Sequence, residues 1–239
     1  MKKNQWKDMI TCVRLIKYGM SAKQCFGTML LFMVIGIAFE LMIVLGRGVG
    51  ERYIGLQVDF GALFLYAAAM YPSQILMTLD ISGMVQASPY KKRIQTSAMS
   101  FCSLCSNLVM LAIILLVRAL GACLMPQRAA WIWASLPVIG IMGLGLSIMG
   151  ALMYKFYILS VILLAVVVGG GANFMGYRSV MVADNTSGIL GGAPLPVAIM
   201  FCIAALFVGN GTQYLIARMI YKRPFSKGAF GNAVGKKFI

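Results

Sequence analysis

Apolar runs of about twenty residues recur along the chain, with the charges confined between them. This alternation constrains the fold more than any motif does. The hydrocarbon core of a bilayer is about 30 Å thick, and an α-helix crosses it in about 20 residues. Six stretches have that length: about 26–46 (FGTMLLFMVIGIAFELMIVLG), 59–84, 97–119, 130–153, 156–174 (FYILSVILLAVVVGGGANF) and 194–219 (LPVAIMFCIAALFVGNGTQYLIARM). Of the 239 residues, 61% are hydrophobic and 11% charged. Soluble domains average roughly 45–50% and about 25%. A soluble fold of this size has nowhere to hide so much apolar surface, so the expected solvent is lipid. The expectation is an all-α polytopic membrane protein with six transmembrane helices spanning 26–219.

The first 25 residues differ from the rest. In MKKNQWKDMITCVRLIKYGMSAKQ the apolar residues Trp6, Met9, Ile10, Val13, Ile16 and Met20 recur at helical spacing among Lys7, Arg14, Lys17 and Lys23. The pattern predicts an amphipathic helix lying in the membrane interface over 1–25. It lacks the long apolar core of a signal peptide. The basic residues then set orientation, because cytoplasmic segments retain Lys and Arg. With the N-terminus inside, the inner segments hold Lys2, Lys3, Lys7, Arg14, Lys17 and Lys23, then Lys91, Lys92 and Arg93, then Lys155, then Arg218, Lys222, Arg223, Lys227, Lys236 and Lys237. The outer segments hold only Arg47, Arg52, Arg118, Arg128 and Arg178, and are nearly neutralised by Glu51, Asp59 and Asp184. Both termini are therefore expected on the cytoplasmic side, with a basic tail over 220–239 and one longer outer segment at 175–193. The net charge of +15 finds its explanation in an anionic membrane surface, not in nucleic acid.

Several chemistries are excluded or unsupported. The chain has no histidine, so it cannot build a Ser-His-Asp or Cys-His catalytic set or a His-ligated metal site. Cys102 and Cys105 form a CxxC, but inside the apolar run SFCSLCSNLVMLAIILLV. There Ser and Cys read as a small-residue helix face. The tail GNAVGKKF fails as a phosphate-binding loop, since Phe230 stands where the first Gly belongs and Lys237 where Ser or Thr belongs. GGGANFMG fails as a dinucleotide fingerprint, since its third Gly position is Phe174. No catalytic residue, metal site or chain-bound cofactor is expected, and the chain is not expected to be an enzyme.

Two places invite function. Glu40 lies inside the first apolar run, where a carboxylate is costly and faces a partner or a water-filled path. Ser73, Gln74 and Thr78 follow Pro72 on the second run, either lining a path or joining helices by hydrogen bonds. Asp80 reads as interfacial. The other place is the connector at 85–96. In MVQASPYKKRIQTSAMS the three cations Lys91, Lys92 and Arg93 follow Ser88, Pro89 and Tyr90. Pro suits the first turn of a helix, Ser88 or Ser82 suits its cap, and Tyr90 is the kind of aromatic that anchors interfaces. The plainer reading is that these cations set topology and nothing more.

The layout of an interfacial N-terminal helix, six spans, a basic connector between spans two and three and a longer outer segment before span six resembles the membrane subunit of type-2 ATP-binding-cassette exporters. The connector resembles the Pro-x-basic-basic stretch with which such permeases open a coupling helix, although Ser88 stands where Leu is usual. The resemblance implies a permease in the bacterial cytoplasmic membrane, a dimer with itself or with a paralogue, that exports a peptide, drug or lipid-like cargo. It implies a cytoplasmic ATPase partner carrying ATP and Mg, engaged through Ser88, Pro89, Tyr90, Lys91, Lys92 and Arg93. Two alternatives stay open. One is a secondary transporter without an ATPase, which calls for intramembrane charge pairs and broken helices. The other is the substrate-binding membrane subunit of a vitamin importer.

Overall fold

The computed structural model describes residues 10–11, 14, 22–45, 59–81, 90–126, 129–153, 155–164, 166 and 195–224. Among these, every regular element is a helix. Helix α1 is Ala22–Leu45 and α2 is Phe60–Ile81. Helix α3 runs Lys91–Leu124 over 34 residues. It is followed by the short α4, Ala129–Ala134, and by α5, Leu136–Leu152. Helix α6 is Tyr157–Leu164, and α7 is Leu195–Ile220.

Two helices, α3 and α7, are long and apolar enough to cross a membrane, and Phe26–Met42, Phe60–Leu76 and Leu136–Leu152 form shorter apolar stretches. Helices α1, α2 and α7 begin and end within a few residues of their apolar runs, α3 extends the third run by six residues at its start and five at its end, and the fourth run, expected as one span, is broken at Ser135 into α4 and α5. Three expectations lie wholly or largely outside the described residues: the interfacial helix at 1–25, of which only Ile10, Thr11 and Arg14 are described before α1 begins; the outer segment at 175–193; and most of the tail beyond Pro224. The fifth run is described as helix only over Tyr157–Leu164.

The connector differs from expectation in one respect. Lys91–Arg93 do not form a separate helix. They pass through a π-helical turn at Ile94–Ala98 straight into Met99–Leu124. The extra residue of a π turn loosens the backbone ladder. Here Thr96 Oγ1 donates to the Lys92 carbonyl at 2.6 Å and Ser97 Oγ to the Arg93 carbonyl at 3.2 Å.

Packing rests on small residues that let backbones approach. Helices α1 and α2 run antiparallel and touch at Gly61, where an added Cβ would stand 2.6 Å from Glu40 Cγ. Helices α5 and α7 run parallel. At Gly209 an added Cβ would stand 2.9 Å from the Leu144 Cα. An aromatic ladder of Phe32, Phe39, Phe60, Phe64 and Tyr71 joins α1 to α2, with Phe39 stacked on Phe64 at 5.7 Å between ring centroids. The apolar core lies between α2, α3, α5 and α7, around Leu65, Tyr66, Ile114, Ile139 and Leu206. Large apolar side chains nevertheless cover the outside of the bundle, among them Leu31, Met42, Leu116, Leu124, Met200, Phe207 and Met219.

Candidate functional site

The helix directions collect the described charges at two opposite ends of the bundle. One end holds the start of α3, the α5–α6 turn and the end of α7. The other holds the ends of α1 and α3, the start of α2 and the α4–α5 break.

At the first end the described side chains bring together the cations Lys91, Lys92, Arg93, Lys155, Arg218, Lys222 and Arg223, and the last turn of α2, which carries Asp80, ends there too. Three of the cations are braced. Lys92 Nζ sits 5.2 Å from the centre of the Tyr221 ring just past α7, and the Arg223 guanidinium lies 5.7 Å from the centre of the Phe156 ring. Lys155 Nζ donates to the Arg223 carbonyl. Cations over aromatic faces are attracted by the ring quadrupole. The connector is thereby tied to α7 as well as to α3. Of the residues expected to couple to a partner, Tyr90 is exposed in a turn, Lys92 is exposed and Lys91 and Arg93 are half-buried. Ser88 and Pro89 lie outside the described residues.

At the other end lies a buried ionic cluster. Arg118, on α3, is 1% exposed, and all five of its N–H donors have acceptors. Nε donates to Glu40 Oε2 at 3.1 Å and Nη2 to Glu40 Oε1 at 3.5 Å. Nη2 also donates to Asp59 Oδ2. Nη1 donates to the Ile132 carbonyl at 2.9 Å and to Ser135 Oγ at 2.5 Å. Glu40, on α1, is fully buried; Asp59, just before α2, is 6% exposed.

Each acceptor is placed by local sequence. Asp59 caps α2, its Oδ1 accepting the Ala62 N–H at 3.1 Å. Gly61 leaves room for Glu40 beside α2. Pro137, in the first turn of α5, has no N–H and breaks the helix at Ser135. Arg118 takes the Ile132 carbonyl on one side of that break. On the other, Cys202 Sγ donates to the Leu136 carbonyl at 3.0 Å. Side chains from α3 and α7 thus bond carbonyls on either side of the break.

Between the two ends runs a ladder of buried amides and hydroxyls. Asn107 Nδ2 donates to Ser147 Oγ at 3.0 Å, Asn210 Nδ2 donates to the same oxygen at 3.3 Å, and Ser147 Oγ donates to the Gly143 carbonyl at 2.7 Å. These bonds join α3, α5 and α7 across the core.

The expected path residues are not gathered in one place. Glu40 is level with Gly61, twelve residues and roughly 18 Å of helix away from Ser73. Ser73 is buried and spends its hydroxyl on the Met70 carbonyl of its own helix at 2.7 Å. Gln74 is half-buried, and Thr78 lies in α2 without a described side-chain environment. Arg118 and Asp59, read from sequence as outer-connector charges, prove to be partners of Glu40. Their signal was present in ILLVRALGACL, a lone cation flanked by apolar residues on both sides, matching the lone carboxylate of the first run. Asn107, Ser147 and Asn210 carry the same kind of signal, isolated polar residues within apolar runs.

Cys102 is a buried free thiol and Cys105 an exposed one. Among the described residues no three His, Cys, Asp or Glu side chains come together. No family model, characterised protein or solved structure matches the chain.

Proposed function

We propose that the chain is the membrane-embedded permease subunit of an ATP-driven exporter, with six spans, whose basic end receives a separate ATPase. The observation that carries this reading is the continuity of α3. Lys91–Arg93 are the first turn of a 34-residue helix, and Lys92 is braced on Tyr221 at the end of a second long helix. A push on these cations is delivered along two helices at once, with the π turn at Ile94–Ala98 as the compliant element. The membrane part of the proposal is supported by the inverted polarity of the bundle. Leu, Met and Phe face outward, while Glu40, Arg118, Asn107, Asn210 and Gln213 are buried. Soluble monomers rarely leave large contiguous apolar surfaces bare. Helices α1 and α2, at 24 and 22 residues, measure roughly 36 and 33 Å at 1.5 Å per residue, enough to span the core.

The test is purification of the tagged full chain in mild detergent with its co-purifying proteins identified. The expected outcome is a stoichiometric ATP-binding-cassette subunit with ATP hydrolysis, lost on Lys91→Glu, Lys92→Glu and Arg93→Glu. Cys123, exposed at the opposite end, serves as the topology control. A Cys123-only chain should react with an impermeant maleimide from outside the cell in both backgrounds. A second reading, transport driven by an ion gradient, is favoured by the buried Glu40–Arg118–Asp59 cluster and by the break at Ser135. It predicts transport without an ATPase partner and indifference to the three connector changes.

A further inference from the structure

Among the described residues the charges of the buried cluster do not balance. Two carboxyl groups meet one guanidinium, and burying an uncompensated charge is costly enough that the group neutralises instead. Glu40 and Asp59 both accept from the same nitrogen, Nη2 of Arg118, which brings their carboxyl groups close together. Two carboxyl groups sharing one site do not readily both ionise, and one of them is favoured to keep its proton. Among the described residues the other titratable groups near the cluster are Tyr66 from α2 and Cys202 from α7. Both are neutral in their ordinary forms and neither supplies the missing positive charge. From α4 and the turn after it come only a carbonyl and a hydroxyl, those of Ile132 and Ser135.

We infer that Glu40, Asp59 and Arg118 form a proton-binding site that holds one proton between the two carboxyl groups, with Glu40 as its seat. The two carboxyl groups are not equivalent. Asp59 caps α2 through the Ala62 N–H and stands at the positive end of that helix's dipole, where an anion is favoured. Among the described residues Glu40 accepts from Arg118 and from no backbone N–H, and one of its two contacts with Arg118 is as long as 3.5 Å. Asp59, at 6% exposed, is the least enclosed of the three groups. A proton exchanging through it would do so at the end of the bundle away from the basic cluster. Loss of the proton leaves one net negative charge where α1, α2 and α3 converge, so occupancy of the site controls how tightly these helices close. The inference does not depend on whether ATP or an ion gradient drives transport.

The test is infrared spectroscopy of the full chain in lipid nanodiscs at neutral pH, in water and heavy water. The chain has only six Asp and Glu residues, so the protonated-carboxyl carbonyl band is sparsely populated. The expected result is one such band, shifted by deuteration, lost in Glu40→Gln and displaced in Glu40→Asp. It should be lost in Asp59→Asn as well, because removing one carboxylate leaves Glu40 and Arg118 balanced as a simple ion pair. Absence of the band in the natural chain overturns the inference, as does a band unmoved by both Glu40 changes. A band that survives Asp59→Asn overturns the shared proton. Should Glu40→Gln or Asp59→Asn fail to fold, the natural chain and Glu40→Asp decide the matter between them.

Discussion

The two ends of this bundle use the same residue types to opposite effect. At one end Lys and Arg are exposed or half-buried, and Lys92, Lys155 and Arg223 rest against an aromatic ring or a carbonyl without being enclosed. At the other a single Arg is sealed at 1% exposure with every donor occupied. An exposed cation is stabilised mainly by water and loses little when its partner is removed. A buried one depends wholly on its partners, and removing either side leaves an unpaired charge. The basic end is thus free to serve a partner, while the ionic end holds three helices together.

The largest expected effect tests that contrast directly. Arg118→Leu leaves two buried carboxyl groups without a counter-ion and should cost about 3–5 kcal/mol, seen as loss of monodisperse protein or a large fall in thermal midpoint in detergent. If it is no more harmful than Lys92→Leu, the distinction between the ends fails. Asp59→Ala comes next. It removes an ionic partner and the cap of α2, the cap alone being worth about 1 kcal/mol. Glu40→Gln should cost less than Asp59→Ala, about 1 kcal/mol, because the amide mimics the neutral acid. A reversed order of these two by thermal unfolding places the proton on Asp59 instead. Gly61→Val overpacks the α1–α2 crossing beside Glu40 and should cost about 1–3 kcal/mol. It also disturbs the ionic end without touching a charge. The smallest effect is Lys92→Gln, about 0.5–1 kcal/mol from the lost contact with Tyr221. A large loss of stability there would mean that the basic end is structural too.

Much of the fold was legible in the sequence. Apolar run length placed α1, α2 and α7 to within a few residues, because helix length and hydrophobic periodicity are local properties; α3 begins six residues earlier than its run, at the polar Lys91. Glu40 was legible as a residue that needs an explanation, since a carboxylate amid Phe39, Leu41 and Met42 has none locally. Its explanation was not legible. Arg118 was assigned to an outer connector because a cation near the end of an apolar run snorkels to water as readily as it turns inward. Only the packing of α1 on α2 and α3 decides between the two. Ser73 illustrates the converse. A hydroxyl that looks available in sequence is taken up by its own helix, a choice made by local backbone geometry. The connector was expected as an independent helix, yet the residues after Arg93 favour continuation, and Thr96 and Ser97 bond back to carbonyls of Lys92 and Arg93.

The sequence by itself determined that this chain is helical, that its helices are unusually apolar, and that its cations gather between particular runs. Those properties depend on residues a few positions apart. The tertiary structure alone decided that Glu40 and Arg118, 78 positions apart, are partners and that Asp59 makes a third. No local rule links residues at that separation. Their meeting depends on Gly61 admitting one helix to another. It depends also on the high cost of burying any of the three groups without its partners.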